Sequence, residues 1–298
     1  MKAFDSYNPI VLFVYFLTVT VISMFAFNPV MITIALVSGV LSTLTLAREG
    51  CGRFFIYALF IFIVTSAANP VFCHNGVTVL FVMNDNPVTL EAVLYGVAMG
   101  TLICAILMLM RIFTKIMTGD KMLYIMGSAA PKLALLISMT FRFIPLFHRQ
   151  AAKTERTQRA LGKYTEENAI DTIRMKLKIF SMMTTWGLEN GIVTADSMSA
   201  RGYGTGRRTS FSVYRFRRTD AVLLAVLAVF AGTIAFLIAT DAVKFSYYPK
   251  MSGIAHTPAA IICYVLYGLM CLLPVMNELE EKIKWRYLES RILNSPTV

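Results

Sequence analysis

Six long apolar runs dominate the alternation of hydrophobic and polar positions along the chain, and short polar or proline-marked breaks separate them. The runs cover residues 10–27, closed by Asn28-Pro29; 30–47, closed by Arg48 and Arg53; 54–68, or to Phe72 if the run passes through Asn69-Pro70; 90–109; 221–240; and 258–276. Each approaches the ~20 residues with which a helix crosses hydrocarbon, so six transmembrane helices are predicted. Between the third and fourth runs, residues 77–83 followed by Asn84-Asp85-Asn86-Pro87 fit either a short strand or a surface loop with a turn.

The longest stretch without a spanning run, residues 111–218, has a different rhythm. Residues 133–147 are apolar nearly all round, interrupted by Ser138, Thr140, Arg142 and Pro145, which suits a helix buried in protein or in the membrane interface. Pro131 and Pro145 lack an amide donor, so several helices are expected here and no single long one. Residues 148–163 turn polar. From 166 to 186, Ile170, Ile173, Leu177 and Phe180 fall on one helical face, and Leu188, Ile192 and Ala195 repeat the pattern in a further helix. After the last run, residues 277–293 read as an exposed helix in which Glu278 with Lys282 and Glu280 with Lys284 stand in the favourable i, i+4 order.

The segments divide as 1–110, four spans; 111–219, a cytoplasmic or interfacial module of amphipathic helices; 220–276, two spans; and 277–298, a charged tail. The fold class expected is an all-α integral membrane protein. Composition agrees, since 57% of the 298 residues are hydrophobic and only 15% are charged. The first residues are polar only briefly before the first run and show no cleavage site, so that run is expected to be retained as a span.

Charge sets the orientation, because cytoplasmic loops retain Lys and Arg. Residues 111–218 hold 19 of the 28 Lys and Arg but 7 of the 17 Asp and Glu, so the net charge of +11 resides there. Residues 69–90 hold no Lys or Arg. The module is therefore expected inside the cell, with both termini cytoplasmic; Lys244 and Lys250, in the loop before the sixth run, run against this pattern.

Within the module, residues 196–208 stand out. Ala200-Arg201-Gly202 sets one fork-shaped cation between two residues too small to shield it, a shape able to enter a partner's pocket and meet a carboxylate bidentately. Gly202, Gly204 and Gly206 can take positive φ and end a helix, which places Arg201 near a C-terminus. Projected at 100° per residue, Arg201 lies opposite the Leu188, Ile192, Ala195 stripe. The same residues also read as a C-cap followed by a basic loop on anionic lipid.

Other chemistry is thin. Cys51, Cys73, Cys104, Cys263 and Cys271 form no CxxC and read as small buried hydrophobes. His74, His148 and His256 are far apart, no HExxH or GxxxxGK[ST] occurs, and neither a metal nor a cofactor is expected. An intramembrane enzyme needs ionisable groups within the spans, where only entry residues and the flanking Asp220 and Asp241 are found. A self-contained secondary transporter needs a midplane polar site, for which the Asn-Pro pairs at 28 and 69 are the available marks; they fall at expected outer ends, where they more simply terminate helices.

These residues resemble a known family, the transmembrane T component of energy-coupling-factor (ECF) transporters, prokaryotic importers of vitamins and metals. Tyr7-Asn8-Pro9 after Phe4-Asp5 is similar to its N-terminal signature, the stretch from Ile137 to Leu146 to the helix before its coupling region, and the stretch from Thr194 to Gly204 to the second of its two Ala-Arg-Gly motifs, with Arg207-Arg208-Thr209 following. The resemblance implies that two coupling helices dock on two ABC ATPase subunits and transmit their motion to a separate substrate-binding membrane protein, the S component. It carries Ala200, Arg201 and Gly202 over as one ATPase-coupling site. The first motif matches at Arg159, Ala160 and Gly162, but Leu161 stands where arginine is expected. Either Arg159 takes the ionic role or that contact has become apolar, which would fit two different ATPases. Leu133, Leu136, Ile137 and Phe141 are the candidates for contact with the S component. The resemblance further implies a multi-pass protein of the prokaryotic plasma membrane with no nucleic-acid partner.

Overall fold

A computed structural model describes residues 3–48, 50–73, 76–83, 86–162, 169–205, 214–248 and 251–293. Among the described residues the protein is all-α apart from one small hairpin, as the apolar runs predict. Its elements are a single 3-10 turn (Ala3–Ser6), α1 (Pro9–Phe25), α2 (Pro29–Leu46), α3 (Cys51–Phe72), β1 (Val79–Met83), β2 (Asn86–Thr89), α4 (Leu90–Ile116), α5 (Gly119–Ala129), α6 (Pro131–Ala160), α7 (Ala169–Ala200), α8 (Arg218–Ala239) and α9 (Pro258–Leu293). They fall into two compact units, residues 1–121 with 214–298, and residues 122–213.

The first unit holds the six predicted spans as α1 to α4, α8 and α9. Five are long and apolar enough to cross a membrane, and α1 is a shorter apolar helix of 17 residues. The Asn-Pro pairs explain two of the starts. Asn8 and Asn28 each turn a side-chain oxygen onto an amide two residues on, at 3.0 Å in both cases, with proline at the first helical position where no donor is needed. Asn69-Pro70 behaves differently, lying inside the last turns of α3, which takes the longer of the two extents and ends at Phe72.

Helix α4 packs between α2 and α3, α2 also packs on α9, and α8 lies against α1 and α9. Small residues allow the close approaches. A β-carbon at Gly96 would sit 2.6 Å from the Ser66 carbonyl, and one at Gly100 would sit 3.0 Å from the Phe62 ring. Ser66 is the residue whose carbonyl loses its helical donor to Pro70, so the spacing Gly96-x-x-x-Gly100 brings α4 onto the open turn of α3. Polar side chains add interhelical ties: the Ser38 hydroxyl donates to the Cys271 carbonyl at 2.8 Å, and Ser23 and Tyr267 share a bond of 2.6 Å. Most of α3 and α8 stays uncovered by protein, with side chains such as Phe60, Ile63, Val229 and Phe236 exposed, as suits lipid-facing helices.

The segment before α4 resolves as an antiparallel hairpin of β1 and β2. Its base is fixed by Glu91, buried in the first turn of α4, which accepts from the amide of Thr78 at 3.3 Å and from its hydroxyl. Gly76 is needed there, since a β-carbon would lie 2.6 Å from Thr89 Oγ1 and its φ is +154°. The tail expected as an exposed helix is the continuation of α9, which runs through Pro274 to Leu293. Both expected tail pairs, Glu278 with Lys282 and Glu280 with Lys284, are present at 3.7 Å.

The second unit corrects where the helices were expected to divide. Pro131 opens α6 at its first position, but Pro145 lies within it and α6 runs unbroken for 30 residues. Likewise α7 is one helix of 32 residues, where two were expected. The two cross where Phe147 meets Trp186 edge-on, ring centres 5.2 Å apart, over Gly187. That packing accounts for the continuity: Gly187, the natural place to divide the helix, is occupied by the Phe147 ring 2.6 Å from where a β-carbon would be. Buried Ile179 and Met183 complete the contact side of α7.

Candidate functional site

Both long helices of the second unit end on a glycine of positive φ. Helix α7 stops at Ala200, and Arg201 occupies the cap position. Gly202 follows with φ +76°, a left-handed conformation that costs glycine little. The Gly202 amide donates to the Ser199 carbonyl at 3.0 Å and the Tyr203 amide to the Met198 carbonyl at 3.1 Å. Those two bonds define a Schellman C-cap, with glycine at the position that requires positive φ. Gly204 also takes positive φ, +96°, and the Thr205 hydroxyl folds back to the Gly202 carbonyl at 2.7 Å. Ala200, Arg201, Gly202 and Tyr203 are all exposed, so the cation stands at a rigid, uncovered tip. Its position also lets it face the negative end of the helix dipole, which fixes the charge where it is offered.

The end of α6 shares part of this build. Ala160 is its last residue, Leu161 takes the cap position and Gly162 follows with φ +66°. The Leu161 amide donates to the Thr157 carbonyl at 3.1 Å and the Gly162 amide to the Arg159 carbonyl at 3.0 Å. Leu161 is thus the positional counterpart of Arg201, and it is 61% exposed. Leu161 thus presents an apolar side chain at the position where the α7 tip presents a cation. Arg159, the other candidate for the ionic role, pairs with Glu155 one turn earlier at 2.9 Å. Arg207-Arg208-Thr209, Gly206, Lys163 and Glu166 lie outside the described residues, as do His74, Asn84-Asp85 and Lys250.

The greasy part of α6 is open along one side. Leu133, Leu136 and Phe141 are more than half exposed, while Ile137 is half-buried. On α7, Ile170, Ile173, Leu177 and Phe180 form a second exposed stripe and Leu188 with Ile192 a third. The helices therefore bury little of their apolar area against each other and keep most of it for other surroundings. Among the described residues, no group of three or more His, Cys, Asp or Glu is placed to hold a metal ion.

Reading the sequence missed two features of the first unit. The Gly96-x-x-x-Gly100 spacing stands plainly in the fourth apolar run and is a recognised signal for close helix packing. The ties that run to the residues ahead of α1 join positions more than a hundred apart, and no local pattern announces them.

Comparison with known proteins gives two relatives. The chain is 32% identical over 108 residues to the energy-coupling factor transporter transmembrane protein EcfT of Listeria innocua, a match covering 36% of this chain and 41% of that one. It is 31% identical over 97 residues to the energy-coupling factor transporter transmembrane protein EcfT 1 of Listeria monocytogenes, covering 32% of this chain and 36% of the relative. The matched stretches thus span about two fifths of the length of these curated relatives. No family model matches the chain.

Proposed function

We propose that this chain, a relative of the EcfT transmembrane proteins, is the T component of an energy-coupling-factor transporter. In this reading the spans anchor it in the plasma membrane with both termini cytoplasmic, and the basic second unit meets two ABC ATPase subunits. The observation that carries the reading is the pair of helix ends that each close on a glycine of positive φ bonded back to the carbonyl three residues earlier, one presenting Ala200-Arg201-Gly202 and the other Ala160-Leu161-Gly162. A tip rigidified by a Schellman cap can transmit displacement without first absorbing it. Closure of the ATPase pair then moves α6 and α7, and their exposed apolar stripes, with Leu133, Leu136, Ile137 and Phe141 among them, pass the motion to an S component that binds a vitamin or similar micronutrient. The chain supplies the lever and the ATPases supply the hydrolysis.

The two tips differ in chemistry at one position, so the two ATPase sockets differ as well. Arg201 calls for a carboxylate. Leu161 calls for an apolar pocket, with Arg159 kept by Glu155 on its own helix. The ATPase pair is then a heterodimer, each subunit matched to one tip. Burying a leucine side chain contributes about 1.5–3 kcal/mol, so Leu161→Asp should weaken retention of one ATPase by roughly tenfold or more while the other remains bound through Arg201. Quantitative mass spectrometry of the purified complex reads the ratio of the two subunits, and equal loss of both would contradict the assignment of one tip to each.

Purification of the affinity-tagged chain from native membranes tests the function itself. Two ABC ATPases should accompany it in near-stoichiometric amounts, and substrate uptake by reconstituted vesicles should require ATP and those subunits. Uptake by the chain alone, driven by an ion gradient, would instead establish a secondary transporter.

A further inference from the structure

The chain leaves the first unit after Lys121 and rejoins it at Tyr214. On the side that belongs to the first unit, both passages are tied to the same few residues ahead of α1. On the outward passage Lys121, only 6% exposed, donates from its Nζ to the Asp5 carboxylate, to the Asp5 carbonyl at 3.0 Å and to the Ile116 carbonyl at 3.1 Å. Ile116 is the last residue of α4, whose terminal carbonyls lack helical donors, so one ammonium caps α4 and grips the Asp5 backbone and side chain together. On the inward passage Asp220, 3% exposed in the first turn of α8, accepts from the Arg217 amide at 2.8 Å. Its other oxygen accepts from the Asn8 amide at 3.3 Å.

The segment that receives these ties is itself fixed. Asn8 caps α1, and Phe4, 1% exposed, stands edge-on to Tyr15 with ring centres 5.4 Å apart. Burial first, and then the carboxylates of Asp120 and Asp5, raise the Tyr214 phenol above the ordinary tyrosine value. Tyr7 is raised in the same way, by burial and then by Asp220 and Glu280.

We propose that residues 4–8 act as a clasp that holds the outward and inward passages together, so that a load arriving from the second unit enters α1, α4 and α8 at once. The identity of that load rests on the T-component reading, whereas the clasp rests on the contacts just described. Lys121 is buried but the Asp5 side chain is 50% exposed, and an ion pair with one partner in water adds little net stability, so its contribution here is positional. Lys121 and Asp5 are positioning residues, acting through the backbone they hold.

The test uses Lys121→Met and Asp5→Asn, with Lys121→Arg as the conservative control. Assembled with its ATPases and S component in proteoliposomes, each of the first two variants should keep both ATPases and hydrolyse ATP within about twofold of the parent, while substrate carried per ATP falls about tenfold. Lys121→Arg should restore most of that ratio. In a lipid nanodisc holding the chain alone, Lys121→Met should speed amide exchange about tenfold at residues 116–121 and also at 217–221. Transport per ATP within twofold of the parent, loss of the ATPases, or faster exchange confined to residues 116–121 would overturn the clasp. Should the parent itself bind no ATPase, the T-component reading fails, and the exchange measurement still decides for or against the clasp.

Discussion

Arg201→Glu should leave the protein inserted and expressed at parental levels and abolish its association with the ATPase that Arg201 is proposed to meet. The substituted side chain sits on an exposed tip, so nothing in the fold depends on it. In the complex, however, the glutamate would face the carboxylate that received the arginine, and a like-charge contact shut away from water costs far more than loss of the pair. Arg201→Ala is the milder form. It should cost ~2–5 kcal/mol of binding, because it leaves the partner's carboxylate buried and unpaired. If Arg201 only rested on anionic lipid, the alanine variant would lose ~1 kcal/mol of membrane attraction and retain its partners. A pull-down with titrated salt separates these cases: the docked arginine gives a loss in association at every salt concentration, the lipid contact a loss that fades as salt screens it.

The second large effect is expected in the membrane unit, at Gly96. A leucine there cannot be placed, because its β-carbon alone would be 2.6 Å from the Ser66 carbonyl and 3.1 Å from Asn69 Cβ. The obstacle is backbone, which has no rotamer to escape into, so α4 and α3 must separate. Overpacking of this kind costs about 1–3 kcal/mol where side chains can yield and more where they cannot. Gly96→Ala should therefore lower the unfolding midpoint in detergent measurably, and Gly96→Leu should yield protein that aggregates on size exclusion. Gly268→Ala supplies the comparison, since its β-carbon would meet Ile34 at an ordinary 3.7 Å and should change little.

The spans were legible because lipid imposes one requirement on a long stretch, and uninterrupted hydropathy meets it. Helix tips were legible for a different reason: Gly162 and Gly202 mark the only conformations that close such ends cheaply, and glycine is the residue that supplies them. What escaped depends on neighbours distant in sequence. Pro145 reads as a breaker in isolation, yet α6 continues through it, with Phe143 and Phe147 on either side packing edge to face. The division expected after residue 186 falls at Gly187, whose missing side chain admits the Phe147 ring. Leu161 was visible as a departure from a motif, while its equivalence to Arg201 is a matter of geometry, since both occupy the cap position of the same kind of helix end. The hairpin ahead of α4 stayed undecided in the sequence because its strands are five and four residues long, and its closure depends on Glu91 reaching back to Thr78.

Coupling as proposed depends on the α7 tip entering another protein. Tyr203, two residues beyond Arg201 and 58% exposed, can carry a photoreactive phenylalanine analogue without disturbing the cap, whose bond at that residue uses only its backbone amide. Irradiation of the complex purified from native membranes should join this position to an ABC ATPase subunit, and the same probe combined with Arg201→Glu should not. Labelling of lipid alone, with the ATPases still bound elsewhere on the chain, would contradict it.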